Sequence, residues 1–247
     1  MSTRRSFLAG LVACPICAGK VFAEQAHWGY DAEHGPEAWS KLDKAFSACS
    51  VGDQQSPIDL SVSIKADLPD LALDWTPQAY AIANNGHTIQ ADAAPGSSLK
   101  LDGEAYGLVQ FHFHTPSEHA FDGKRSAMEA HFVHANGKGQ LAVVGMLMRA
   151  GKPNASFAAV MASAPKKEGR QNAPAPIDPN LFLPSDRRFF RYEGSLTIPP
   201  CSETVNWSVF RQEIEVAQTD IDAFRALYKM NARPLQPVNR RFLLRNS

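Results

Sequence analysis

The chain has 247 residues, 44% of them hydrophobic, with 25 basic residues balancing 25 acidic ones. That length and apolar fraction suffice for one sizeable domain with a large buried core. A formal charge of zero, with no cluster of lysine or arginine, gives no electrostatic footing for nucleic acid or an anionic membrane and leaves a small molecule as the fitting partner.

In chain order, residues 1–23 read as an export signal: Arg4 and Arg5 lead into an apolar run from Phe7 to Ala18, and small residues precede a cut after Ala23. The paired arginines resemble the twin-arginine signal, which predicts a periplasmic or secreted protein whose single domain spans residues 24–247. Leu11-Val12-Ala13-Cys14 also reads as a lipoprotein box. The apolar run is too short for a stable membrane span. Cleavage removes Arg4, Arg5 and Lys20 and no acid, leaving 22 basic against 25 acidic residues, a charge of −3. Cys14 and Cys17 leave with the signal. In an oxidising compartment the remaining pair, Cys49 and Cys201, makes one disulfide or, failing that, two separate buried thiols.

Residues 27–35 lack periodicity and predict an ordered arm. Residues 36–48 carry Trp39, Leu42 and Phe46 at helical spacing. Strands are predicted at 58–60, 71–75, 79–84, 87–91, 106–114, 126–134 and 141–148, and helices at 154–163 and 220–230. Turn signals at Asn85-Gly86, Asp102-Gly103, Asp122-Gly123 and Asn136-Gly137 separate many of the strands, the mark of hairpins in a largely antiparallel sheet. Prolines make 173–184 an irregular loop. The fold class is mainly β: a large, twisted, mostly antiparallel central sheet with short peripheral helices.

Chemistry concentrates in Gln110-Phe111-His112-Phe113-His114 and Met128-Glu129-Ala130-His131. Strand side chains alternate between faces, so His112 and His114 share a face, roughly 6–7 Å apart at the backbone. Antiparallel pairing would bring His131 within cross-strand reach. Three neutral nitrogen ligands with one open position describe a catalytic rather than a structural zinc site. Gln110 and Glu129 each precede a histidine by two and share its face, where they can orient its second nitrogen. A His-x-His pair also occurs simply as the polar face of an amphipathic strand. His119 and His134 read as hydrogen-bonded structural residues.

These motifs, with Ser117-Glu118-His119 and Gly194-Ser195-Leu196-Thr197-Ile198-Pro199-Pro200, resemble the α-class carbonic anhydrases, and the bacterial branch in particular. His27-Trp28-Gly29-Tyr30, Gln55-Ser56-Pro57-Ile58, Asn84-Asn85-Gly86-His87 and Asn231-Ala232-Arg233-Pro234 follow in the family's order. The resemblance implies reversible hydration of carbon dioxide to bicarbonate, with zinc held by His112, His114 and His131, Gln110, Glu129 and Asn231 supporting the ligands, and Thr197 with Glu118 orienting a hydroxide. It implies a proton shuttle at His87, a water network at Tyr30, Asn85 and Gln90, and a carbon dioxide wall of Val133, Val143, Leu196, Ile198, Val205 and Trp207. Ile198 stands where many relatives carry a hydroxyl, and Gln90 where an asparagine is usual. A monomer or homodimer is expected. Competing readings are a cupin, since His112-Phe113-His114 with Glu118 matches His-x-His-x3-Glu, a non-catalytic relative of the same fold, and a zinc-buffering protein. The cupin's second motif is missing, no ligand has been lost, and there is no histidine-rich tract.

Overall fold

The computed structural model describes residues 26–247; the predicted signal lies outside them. Thirteen strands form one mixed sheet whose middle runs Phe189–Gly194, Val205–Phe210, Leu141–Ala150, Met128–Ala135, Glu104–His114, Ile89–Asp92 and Ala81–Asn84 in spatial order. Most neighbours are antiparallel, but Leu141–Ala150 pairs in parallel with Val205–Phe210 and with Ile214–Val216. Helices Ala155–Ala162 and Gln218–Leu227 are short and peripheral. No helix among the described residues is long and apolar enough to cross a membrane.

Both faces of the central strands are covered, so Met128 to His134 is buried without interruption. One face packs Phe111, Phe113, Ala130, Phe132, Val144 and Met146 against Phe157 and Phe224 of the two helices. Each such phenyl contributes on the order of 1.5–3 kcal/mol on burial. The other face carries the histidines beside a smaller apolar group that includes Val133, Val143, Tyr192 and Trp207.

Several predicted elements differ. The helix expected at 36–48 breaks into Trp39–Leu42, the 3-10 turn Lys44–Phe46 and Ala48–Val51, because Asp43 turns extended and its carboxylate caps Ala45. Residues 58–60 make an isolated bridge from Asp59 to Ala120 rather than a strand. The strands Phe189–Gly194 and Val205–Phe210 were not among those predicted, and the proline-rich loop contains a 3-10 turn at Pro179–Phe182.

Candidate metal centre

The antiparallel pairing of Glu104–His114 with Met128–Ala135 sets His112 directly opposite His131. A bulge at Val109 places the ring-bearing stretch: Leu108 pairs with His134, yet Gln110 pairs with Val133, so one extra residue turns Gln110, His112 and His114 onto the site face. The three ring centroids stand 4.6–5.3 Å apart, and one ligating atom from each lies within 4.8 Å of the others.

The far nitrogen of each ring faces an acceptor oxygen. His112 Nδ1 lies 2.8 Å from Gln110 Oε1, and His114 Nδ1 lies 2.7 Å from the Asn231 carbonyl. Both oxygens only accept, so Nδ1 carries the proton and Nε2 keeps its lone pair. His131 Nε2 is 3.0 Å from Glu129 Oε1, leaving Nδ1 toward the other two. His114 Nε2 is buried with no partner. Burial, followed by the neighbouring imidazoles, holds His112 well below the ordinary histidine range, and burial also lowers His114. Three convergent imidazoles, one presenting a buried nitrogen with no partner, are the donor set a divalent ion requires, so the residues fit a metal.

A second group of possible donors, His119, Glu129 and His131, is spent on itself. His119 Nδ1 is 2.7 Å from Glu129 Oε1 and its Nε2 is 2.6 Å from the Tyr192 hydroxyl, which donates to Ser56 Oγ. Glu129 Oε2 accepts the backbone N–H groups of Glu118 and His119. Burial opposes the charge on Glu129, but the His119 and His131 rings outweigh it and hold the carboxyl well below its usual range. This chain of contacts through Tyr192 and Ser56 was missed by sequence reasoning, although Gln55-Ser56-Pro57 marked one end. Also missed was Arg233, a buried guanidinium bonded to Gln55 Oε1 and to the Ser56 and Cys49 carbonyls. His134 is buried as well, accepting the Trp75 indole N–H.

Glu118 is fully buried and its Oε1 accepts the Arg233 N–H. Its Oε2 has no partner and lies 3.6 Å from His114 Nε2 and 3.9 Å from His131 Nδ1. Thr197 lines the same cavity but its hydroxyl makes no hydrogen bond to Glu118.

The cavity above the histidines is an open funnel of about 490 Å³. Val133, Val143, Leu196, Ile198 and Trp207 form its apolar side, with Leu141 and Pro200 added. Val205 is not on this surface: it is fully buried, in the same apolar cluster as Val143 and Trp207. Tyr30, Asn85, His87 and Gln90 line the polar side. His87 is stacked on Trp28, centroids 3.8 Å apart, and burial, then His27, lowers its pKa against the opposing pull of Glu168. Burial raises Tyr30 well above the usual phenol range, so it stays a neutral donor. Gln90 donates to Asp92 at 2.5 Å.

Cys49 and Cys201 are joined, Cα atoms 5.0 Å apart, which resolves the choice between disulfide and free thiols. The bond ties the Ala48–Val51 helix to the loop that follows Thr197.

A mixed sheet with three convergent imidazoles at the foot of an open, half-apolar funnel defines an enzyme built for small-molecule chemistry at a histidine-lined centre. The eukaryotic-type carbonic anhydrase model matches residues 34–247, and the chain belongs to that family. It is 40% identical over 229 residues to a carbonic anhydrase of Nostoc sp., covering 90% of this chain and 87% of the relative. A Neisseria gonorrhoeae carbonic anhydrase is 36% identical over 236 residues, covering 95% and 94%. The solved structure of the α-carbonic anhydrase from Thermovibrio ammonificans, in complex with the inhibitor sulfanilamide, superimposes with a TM-score of 0.87 at 39% identity, covering 89% of this chain and 99% of that one.

Proposed function

We propose that the protein hydrates carbon dioxide reversibly to bicarbonate and a proton, with zinc held by His112, His114 and His131. The observation that carries this reading is the buried, unpartnered His114 Nε2 facing two other imidazoles, one held at its far nitrogen by Gln110 and the other with its far nitrogen 3.0 Å from the Glu129 carboxylate. Zinc bound there would supply Lewis acidity that brings the pKa of water near 7, chemistry for which carbonic anhydrase is itself the standard example.

The chain's own residues do the rest. Gln110, Glu129 and the Asn231 carbonyl fix ring orientation and tautomer. An ionised Glu118 only accepts, and its Oε2 lacks a donor, so the Thr197 hydroxyl is the group we assign to it. Having donated its one proton, Thr197 accepts from the nucleophile and aims the nucleophile's lone pair at the substrate. Carbon dioxide offers almost nothing to hydrogen-bond, and Val133, Val143, Leu196, Ile198 and Trp207 give it a wall free of competing polar groups. His87 carries the released proton outward, through water ordered by Tyr30, Asn85 and Gln90. We also place the mature chain in the periplasm or outside the cell, a reading supported by the Cys49–Cys201 bond.

His112→Ala tests the assignment. Zinc content and carbon dioxide hydration should fall together, hydration by at least about a hundredfold, the upper range for losing even a supporting group at a metal site. Undiminished hydration by metal-free His112→Ala protein would refute it.

A further inference from the structure

A second cavity, of about 410 Å³, opens on the same sheet face as the histidines but at the far end of the strands, beyond Gly145, where Leu147 forms part of its floor. That volume lies in the range of small-ligand pockets. Leu60 and Phe190 complete the floor, and Phe121 stands as one wall with its ring 6.1 Å from that of Phe190. Phe121 is 47% exposed, a large aromatic left uncovered at the mouth.

The rim is cationic. Lys124, Arg125, Arg188 and Arg211 line it against Asp186 and Glu213. Both carboxylates are engaged: Asp186 with Arg188, 2.5 Å apart, and Glu213 with the Ser126 hydroxyl and, at 3.9 Å, Arg149. Arg125 donates to the Arg233 carbonyl. Among the described residues, Lys124 and Arg211 form no ion pair and donate no side-chain hydrogen bond; Arg211 adds to the pull of Arg188 on the Asp186 carboxyl, and its guanidinium lies 5.7 Å from the Phe190 ring centroid. Positive charge outside any ion pair thus stands directly beside an uncovered aromatic surface.

The wall is also fixed in place. Phe121 and Lys124 are cross-strand partners in a two-stranded hairpin, so their side chains share a face. Its Asp122-Gly123 turn has positive φ at both residues, and Asp59 and Ser61 accept the N–H groups of Gly123 and Asp122.

We propose that this cavity is a binding site for a small amphipathic organic carboxylate, its head on Lys124 and Arg211 and its apolar body on Phe121, Phe190 and Leu147. The site lies apart from the histidine funnel, so it stands whether or not the hydration reading does.

Calorimetric titration of the full chain with octanoate and, separately, with 1-octanol tests the proposal, on the wild type, on K124E/R211E and on Lys124→Ala. Saturable octanoate binding that weakens at least tenfold in K124E/R211E, with 1-octanol at least tenfold weaker on the wild type and carbon dioxide hydration unchanged, is the expected result. Should the double variant lose its wild-type melting midpoint, Lys124→Ala decides, with an expected loss of at least threefold. Equal octanoate affinity in the variants, as binding confined to the histidine funnel would give, overturns the proposal. So does equal affinity for octanol, or no saturable binding at all.

Discussion

Three different kinds of acceptor orient the three imidazoles: a side-chain amide for His112, a backbone carbonyl for His114 and a carboxylate for His131. Two of these were legible in the sequence, because Gln110 and Glu129 share a strand face with their histidines. A carbonyl leaves no signature in residue type, so Asn231 was reachable only through the family resemblance. Its side chain does further work that spacing could not reveal, donating to the His87 and Phe113 carbonyls and accepting from Thr115. His87 is therefore linked through its backbone to the loop that orients His114, while its ring rests on Trp28. With the proposed shuttle at this ring, His87→Ala should slow turnover in weak buffer by about 10- to 100-fold, within reach of what one positioned proton-transfer group contributes. Added imidazole should restore the rate with the hydration step nearly unchanged; a loss that imidazole does not repair would count against the shuttle.

At the scale of elements, alternation made the His112–His114 strand readable and also concealed its most consequential irregularity. Tyr106 and Leu108 face the large core together with Phe111 and Phe113, a change of phase that a regular strand cannot have and that the Val109 bulge supplies. The strands Phe189–Gly194 and Val205–Phe210 were harder to find, since the first alternates the half-buried Arg191 and the exposed Glu193 with its buried residues and neither is bounded by a hairpin signal of the Asn-Gly kind. Gly145, opposite His131 in the register, has a specific steric reason: a Cβ there would sit 3.0 Å from Glu129 Oε1 and 3.2 Å from Val209. Gly145→Ala should displace the Glu129 carboxylate from His131 and weaken zinc affinity by about tenfold to a hundredfold, the range for loss of a ligand's supporting partner. Competition with a chelator measures it, and an unchanged zinc affinity would mean that Glu129 does not support the ligand.

On the scale of the whole molecule, the fold class was legible because binary patterning and hairpin turns report an antiparallel sheet directly, whereas the parallel pairing of Leu141–Ala150 with Val205–Phe210 joins segments too distant for any local signal. A longer stretch, 152 residues, separates Cys49 from Cys201, and the pairing was inferable only because two cysteines remained after the signal. Global stability should carry one clear pH signature from His134, which burial lowers to about 4. The unfolded chain, titrating near 6.5, binds the proton that the folded chain refuses, so stability falls as pH drops below about 6.5 and levels off below about 4, a loss of about 3 kcal/mol. Urea midpoints compared in the same metal state should show a flatter acid limb for His134→Gln than for the wild type; parallel limbs would remove His134 as the cause. The central claim, that three histidines hold one zinc ion on which hydration depends, is met most directly by stripping the protein with a chelator and following carbon dioxide hydration by stopped flow as zinc is returned. Activity should rise linearly and break at one zinc per chain. Full activity in the stripped protein, or a rise with no break at that ratio, would contradict it.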